Sequence, residues 1–244
     1  MIPRLHTVER TLWVERCRRS AQFFIFESGA LVTKDEHDQL SPVKPFPQTL
    51  YLRALLDLMC CGGRMTEPDD ALYAREAGVP RSYLADVYRT GVTFVEKSRQ
   101  LMVTWLACAY CLWRARAFPH QLILVQSKKK EDAANLVFFK QPDLGRISFM
   151  EFHLPPDLRQ VRYPLDCSEG RMIWPDGSQI WAIPEGGSMI RSNTPTVVFS
   201  DESAFQEEFG NSYTAALPAI KGGGQYLAVS SAEPGEFQAL VGAA

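Results

Sequence analysis

The sequence has no long hydrophobic run, few histidines and little net charge. Its longest apolar stretch, "VTWLACAYCLW", is too short to span a membrane, and the first residues lack the apolar core of a signal peptide. The four histidines are scattered, so neither a Ser-His-Asp triad nor a histidine metal site is indicated. A net charge of −2 excludes a globally basic nucleic-acid coat, although it permits a local basic patch. We expect a soluble protein with no membrane partner.

Disulfides and structural zinc are also poorly indicated. Two of the six cysteines, Cys108 and Cys111, form a C-x-x-C, but they lie inside an apolar helical run. No second cysteine pair or histidine cluster completes a zinc site. Buried free thiols are the favoured interpretation, and they fit a reducing, cytoplasmic compartment.

What the sequence does contain is an alternation of strand and helix patterns from Gly91 onward. This alternation predicts an α/β fold with a mainly parallel twisted sheet flanked by helices. Residues 46–244 are expected to form this domain, and residues 1–45 a small N-terminal helical and β appendage. Within the appendage, "QFFIFESGALVT" is interpreted as two short strands around a Ser28-Gly29 turn. In parallel sheets, ligands bind beyond the carboxyl ends of the strands.

The stretch "FVEKSRQLMVTW" has the outline of a phosphate-binding loop without its glycines. A strand ends near Lys97 and a helix begins near Thr104, so the unpaired N–H groups of a helix N-terminus are available to phosphate. Lys97 and Arg99 would supply cationic donors, and Thr104 a hydroxyl ligand for Mg²⁺. Taken alone, an ordinary turn with basic residues is the better interpretation, because the usual motif is G-x-x-x-x-G-K-[ST].

Two carboxylates, Asp201 and Glu202, follow a hydrophobic strand pattern in "TVVFSDESAF". In ATPases of the P-loop class, an aspartate at a strand end holds Mg²⁺, and a glutamate directly after it can deprotonate the attacking water. The alternative is that both carboxylates cap the following helix. Their position well downstream of the loop favours the ATPase interpretation.

Three weaker features complete the set. Ser230 and Ser231 end the strand pattern of "YLAVSSAEP", where hydroxyl groups could sense a terminal phosphate or simply form a turn. Gln48, before a helix, offers a donor and an acceptor to an adenine edge, although a proline-shaped helix start explains it equally well. Arg191 is either a phosphate contact or a surface arginine.

Taken together and in this order, the motifs resemble the ATPase domain of the large terminase subunit of tailed bacteriophages. The resemblance covers roughly residues 46–234 and rests on "EKSRQLMVTW", "LILVQSKKKEDAANLV", "DGSQIWAIPEGGSMIRSNTPTVVFSDESAF" and "YLAVSSAEP". Many members of that family carry K-S-R-Q-x-G-x-[ST], with the functional lysine at the start of the loop. Lys97, Ser98, Arg99, Gln100 and Thr104 match that pattern.

The resemblance implies a RecA-like ATPase core that uses ATP and Mg²⁺ to drive double-stranded viral DNA into an empty capsid. Its implied partners are the portal protein and the small terminase subunit, and its implied assembly is a ring. The implied nucleotide-binding residues are Gln48, Lys97, Ser98, Arg99, Gln100, Leu101, Met102, Val103 and Thr104. Thr104 and Asp201 would hold Mg²⁺, Glu202 would activate water, and Arg99 would stabilise the transition state. Ser230, Ser231 and Ala232 would match the motif that couples hydrolysis to DNA movement.

Two departures from the family pattern leave alternatives open. Met102 stands where the family most often has glycine; its side chain disfavours a left-handed backbone, while a right-handed path would still present the N–H groups. The family usually continues into a nuclease domain, whose carboxylate set is not expected in this chain. The alternatives are a helicase-like nucleic-acid ATPase, and a degenerate nucleotide-binding or assembly protein that does not hydrolyse ATP.

Overall fold

Two β-sheets organise the residues that the computed structural model describes, namely 7–34, 43–98 and 101–242. The helices are α1 (Thr7–Arg19), α2 (Leu50–Gly62), α3 (Leu72–Glu76), α4 (Arg81–Thr90), α5 (Val103–Ala117), α6 (Lys130–Val137), α7 (Arg146–His153), α8 (Ser188–Arg191), α9 (Phe209–Lys221) and α10 (Glu236–Gly242). The strands are β1 (Val32–Lys34), β2 (Val43–Pro45), β3 (Val92–Lys97), β4 (Leu122–Ser127), β5 (Cys167–Ser168), β6 (Arg171–Ile173), β7 (Gln179–Pro184), β8 (Val197–Asp201) and β9 (Gln225–Ser231).

The main sheet has the strand order β3-β9-β8-β4-β7-β6-β5. The strands from β3 to β7 in this order are parallel, and the β6 and β5 edge is antiparallel. β9 is the last strand in the chain, yet it lies between β3 and β8. The pairing aligns Lys97 with Ser231 and Asp201 with Val229. The carboxyl ends of β3, β9 and β8 therefore lie side by side at one edge of the sheet.

Apolar side chains bury the main sheet on both faces. Phe199 of β8 belongs to a cluster with α2, α5, α6 and α7, whereas its neighbour Val198 belongs to a second cluster with α8, α9 and α10. Strands buried on both faces have nearly continuous apolar sequences, as β4 and β8 do. Helix α5 is buried over most of its length, and it packs at the centre of the first cluster. The predicted α/β class, with a mainly parallel sheet flanked by helices, is confirmed.

The predicted strand pair around Ser28-Gly29 is wrong in its first half. Phe23–Glu27 forms a short π-helix, and consecutive residues Phe23–Phe26 are all buried. A strand places alternate side chains on opposite faces, so it can bury four consecutive side chains only if both faces are covered. Here a helical turn packed into the core buries all four side chains instead. The second half does form β1, but β1 pairs with β2.

The N-terminal elements share the core of the main sheet. Helix α1 packs against α5, where the indole Nε1 of Trp113 donates to the Cys17 carbonyl at 3.1 Å. The β1–β2 ribbon lies beside α7. The division of the chain at residues 45 and 46 stays a prediction. Of the helices that the structure describes, none is long and apolar enough to cross a bilayer.

A buried polar cluster joins α2, α5 and the start of β9. The Tyr110 hydroxyl donates to Gln225 Oε1 at 2.7 Å, and Gln225 Nε2 donates to the Met59 carbonyl at 2.8 Å. Gly63, directly after α2, closes this cluster. A Cβ atom at Gly63 would lie 2.2 Å from the Tyr110 hydroxyl oxygen. The cluster therefore has no room for a larger residue.

We expect Gly63→Ala to lower the free energy of unfolding by about 1–3 kcal/mol, because the added methyl group overpacks the cluster. Gly222→Ala is a matched control, since Gly222 also follows a helix and has a similar φ of −75°, and a Cβ atom at Gly222 would lie 3.4 Å from its nearest neighbour. The control should be neutral or stabilise by less than about 1 kcal/mol. Urea unfolding measures the free energy of unfolding of both variants. If Gly63→Ala is as stable as Gly222→Ala, the polar cluster is not tightly packed around Gly63.

Candidate functional site

A cleft opens at the carboxyl ends of β3, β8 and β9. It consists of two adjoining hollows of about 680 and 860 Å³. The residues that line both hollows are Lys34, Lys97, Trp105, Arg146, Asp201 and Glu202. Each hollow has the volume of a small-molecule site, about 300–1,000 Å³. Its place at the strand ends is where parallel sheets bind their ligands.

Two side-chain bonds bring the loop before α5 to the end of β8. Lys97 Nζ donates to Glu202 Oε1 at 2.9 Å, and Thr104 Oγ1 donates to Asp201 Oδ1 at 2.9 Å. The Lys97 side chain is only 9% exposed, whereas that of Glu202 is 38% exposed. An ammonium has three donors, so Lys97 can hold Glu202 and still bind another acceptor in the cleft.

Asp201 is an unusually basic carboxylate. Burial raises its pKa from the ordinary 3.8 to about 6; the Thr104 hydroxyl bond and the charge of Arg146 oppose this rise, and the Glu202 carboxylate adds to it. A buried carboxylate that is ionised at neutral pH has a high affinity for a compensating cation. The physical cause of the shift is therefore also a reason to expect a metal ion beside Asp201.

The loop between β3 and α5 takes a left-handed turn at Met102, with φ +58° and ψ 9°. Met102 therefore adopts the conformation that a side chain disfavours, and not the right-handed alternative. Met102 is the N-cap of α5, its carbonyl accepts from Leu106 N at 2.9 Å, and its side chain packs against the core. Tertiary packing thus holds Met102 in a conformation that costs a non-glycine residue about 1–2 kcal/mol.

The other predicted loop residues have different environments. Ser98 and Leu101 are exposed, Val103 is buried, and Leu101, Val103 and Thr104 line the cleft. Arg99 and Gln100 lie outside the described residues.

The end of β9 contacts the turn that carries Glu202. Ser230 Oγ accepts from Ala204 N at 3.0 Å, and Ser231 N donates to Glu202 Oε2 at 3.5 Å. Glu202 is itself left-handed, with φ +49°. Ala232, the next residue of the predicted coupling motif, is exposed. A displacement of the end of β9 would therefore change the position of Glu202 directly.

Two predicted candidates lie away from the cleft walls. The Gln48 side-chain amide is bonded within the protein, since Nε2 donates to the Phe26 carbonyl at 2.5 Å and Oε1 accepts from Arg53 at 3.3 Å. Its neighbour Pro47 does line the cleft. Arg191 lines a separate hollow with Thr196 and other residues that precede β8 and β9, at the opposite edge of the sheet.

Sequence reasoning missed three residues that line both hollows, Lys34, Trp105 and Arg146. Trp105 follows Thr104 directly, and Arg146 begins α7. One signal was available for Arg146: a cation in the first turn of a helix is disfavoured by the helix dipole, so such a residue suggests a nearby anion.

The oxygen ligands at the cleft floor suit Mg²⁺ better than zinc. Thr104 and Asp201 offer a hydroxyl and a carboxylate oxygen 2.9 Å apart. Within the described ranges, no three His, Cys, Asp or Glu side chains come together as a metal site. Mg²⁺ is commonly held by one or two protein oxygens together with substrate phosphates, and Thr104 and Asp201 would supply two such protein oxygens.

No protein-family profile and no curated protein matches the sequence. Among solved structures, the large terminase of bacteriophage HK97 aligns with a TM-score of 0.55 at 13% identity, over 89% of this chain and 37% of that one. An arginine-to-alanine mutant of the ATPase domain of the large terminase of Thermus phage P74-26 aligns with a TM-score of 0.45 at 15% identity, over 63% of this chain and 66% of that one. The chain thus spans well under half the length of the HK97 protein. The HK97 similarity confirms, at the level of the fold, the RecA-like α/β core and the resemblance to terminases.

Asp201→Asn should stabilise the protein at neutral pH and above, by about 1–3 kcal/mol. Because the folded pKa is raised, the native state binds more protons than the unfolded state, and stability falls as the pH rises from about 4 to about 6. The advantage of the asparagine should therefore vanish near pH 4. Urea unfolding from pH 4 to 8 measures this trend, with the exposed Asp70→Asn as control; a pH-independent difference contradicts it.

Met102→Gly should be more stable than Met102→Ala by about 1 kcal/mol, because glycine adopts a left-handed turn without strain. The opposite order is expected at an ordinary helical position. Met189 in α8 is such a position, and it provides the control pair Met189→Ala and Met189→Gly. Thermal unfolding of the four variants is the measurement; the same order at both positions argues against a left-handed Met102.

Proposed function

We propose that the chain is the ATP-hydrolysing motor domain of a phage terminase large subunit. In this role it couples hydrolysis of Mg·ATP to translocation of double-stranded viral DNA into the procapsid. One observation carries the proposal: Lys97, Thr104, Asp201 and Glu202, from two distant segments, converge in one cleft at the strand ends of a RecA-like sheet. The fold shared with the HK97 large terminase supports it.

Each side chain has a role that follows from its chemistry. Lys97 donates to phosphate oxygens from a nearly buried position and also orients Glu202. The N-terminus of α5 adds unpaired N–H groups and a partial positive charge near the phosphates. Glu202, which is more exposed, accepts a proton from the attacking water. Arg99 is proposed as a transition-state arginine because of its place in the loop motif.

Thr104 and Asp201 are the proposed protein ligands of Mg²⁺. Mg²⁺ held there would neutralise negative charge that develops on the transferred phosphate. The Thr104 hydroxyl, which donates to Asp201 here, would turn its oxygen lone pairs to the cation. Burial of Asp201 keeps this carboxylate poorly solvated, so its attraction to a divalent cation is strong.

The coupling role is proposed for the end of β9. Ser230 and Ser231 both contact the turn around Glu202, and Ala232 follows at the surface. A change at the terminal phosphate would be transmitted through Glu202 to this strand end, and from it to the elements that contact DNA.

The proposed partners are double-stranded DNA, a portal protein and a small terminase subunit. The proposed assembly is a ring of this subunit in the bacterial host cytoplasm. Residues 46–244 are the proposed ATPase domain. Gln48 is proposed to contact the adenine base, which would require its side chain to break its hydrogen bonds to Phe26 and Arg53.

A second candidate is a nucleotide-binding or assembly protein that does not hydrolyse ATP. The observation that favours it is the Met102 side chain, which lines the cleft where many related loops have glycine. A side chain there can leave binding intact and still displace the phosphates from the geometry needed for attack. Turnover by the native protein decides between the two functions.

Glu202→Gln should retain Mg·ATP binding and lose hydrolysis by about 10²–10⁴-fold, because the amide keeps an acceptor for Lys97 but removes the base. Lys97→Ala should weaken binding itself. Lys221→Ala, at the exposed end of α9, is the control. Calorimetry and a phosphate-release assay give the two readouts. Absence of nucleotide binding by the native protein at millimolar Mg·ATP refutes the proposed function; binding without turnover supports the second candidate.

A further inference from the structure

Arg146 is fixed against the cleft wall by an aromatic side chain. Its guanidinium carbon lies 5.7 Å from the centroid of the Trp105 ring, within the range of about 6 Å for a cation–π contact. Phe149, one turn further along α7, packs edge-on against the same ring at 6.1 Å. Trp105 therefore links the first turn of α7 to the first turn of α5 and limits where the guanidinium can lie.

Arg146 is also the cleft arginine that lacks a polar partner. Within the described residues, its guanidinium makes no hydrogen bond or ion pair, although the side chain is half-buried. Other cations of the wall do have partners: Lys97 bonds Glu202, Lys34 contacts the Asp143 carbonyl at 3.4 Å, and Lys128 pairs with Glu207 at 3.6 Å. A guanidinium carries five N–H donors, and those of Arg146 are accessible from the cleft, so they are available to an acceptor on a ligand.

The position of Arg146 in its helix is electrostatically unfavourable. It is the first residue of α7, where the helix dipole places partial positive charge. Arg146, Asp201 and Glu202 line the same cleft, but the guanidinium bonds neither carboxylate. An anionic group bound in the cleft would accept from these donors and offset the repulsion from the helix end.

We propose that Arg146 is a phosphate-binding residue of the nucleotide site, which donates to phosphate oxygens from α7 while Lys97 donates from β3. The inference rests on the proposed function and adds a contact that the loop motif does not contain. A planar guanidinium suits phosphate because two parallel N–H donors match two oxygens. Trp105 would keep that plane oriented, so that less side-chain entropy is lost on binding.

The test compares Arg146→Ala and Arg146→Lys in binding to two probes, Mg·ADP and inorganic tripolyphosphate with Mg²⁺, by calorimetry. Arg171→Ala is the matched control, because Arg171 also lies over a tryptophan ring, that of Trp181 at 4.8 Å, but outside the cleft. We expect Arg146→Ala to weaken both probes by about 10- to 100-fold, the lysine variant to lose less, and the control to bind like the native protein. Thermal unfolding establishes that each variant is folded.

The two probes separate the possible failures. Unchanged binding of tripolyphosphate by Arg146→Ala overturns the proposal, because a phosphate contact cannot be lost without effect. A loss confined to Mg·ADP also overturns it, since the guanidinium would then contact the base or the ribose. If the native protein binds tripolyphosphate but not nucleotides, the proposed function fails while the phosphate contact is still measured. If it binds neither probe, both fail.

Discussion

The parallel pairing of β9 between β3 and β8 is the constraint on which the cleft depends. This pairing aligns the ends of three strands, so that Lys97 and Glu202, 105 residues apart in the chain, come within 2.9 Å. Both faces of the strands are buried, and a register shift of one residue would exchange the side chains of the two hydrophobic clusters. Apolar packing thus fixes the position of each polar residue at the strand ends, including Ser230 and Ser231 beside Glu202.

Several features of the cleft cost the protein stability. Asp201 is buried at a cost that is reflected in its raised pKa, and Met102 and Glu202 both have left-handed backbones that disfavour side chains. Such features persist only when the surrounding structure over-determines them. Here the hydrophobic clusters provide that support. The arrangement is typical of sites in which stability is exchanged for preorganised polar groups.

Much of this site was predictable because its residues end strands or begin helices, and both kinds of boundary have sequence patterns. Lys97, Thr104 and Asp201 were located in this way. Arg146 was not, because no sequence pattern marked the start of α7 or showed where α7 packs. A side chain locally disfavours the left-handed backbone of Met102, and tertiary packing overrides that preference. Four consecutive apolar residues at Phe23–Phe26 fit a buried strand or a helical turn equally well, and only packing distinguishes them.

The charges of the cleft argue for a ligand that carries both signs. Its walls hold groups of both signs: the carboxylates Asp132, Asp143, Asp201 and Glu202, and the cations Lys34, Lys44, Lys97, Lys128 and Arg146. A free phosphate would be repelled by the carboxylates, and a free divalent cation by the lysines and the arginine. A phosphate chain with its bound Mg²⁺ would satisfy both sets, since Asp201 would hold the cation while Lys97 and Arg146 would donate to the phosphate oxygens in the proposed roles. For the same reason, removing either the carboxylates or the cationic side chains from the cleft should weaken binding of a phosphate chain together with its Mg²⁺.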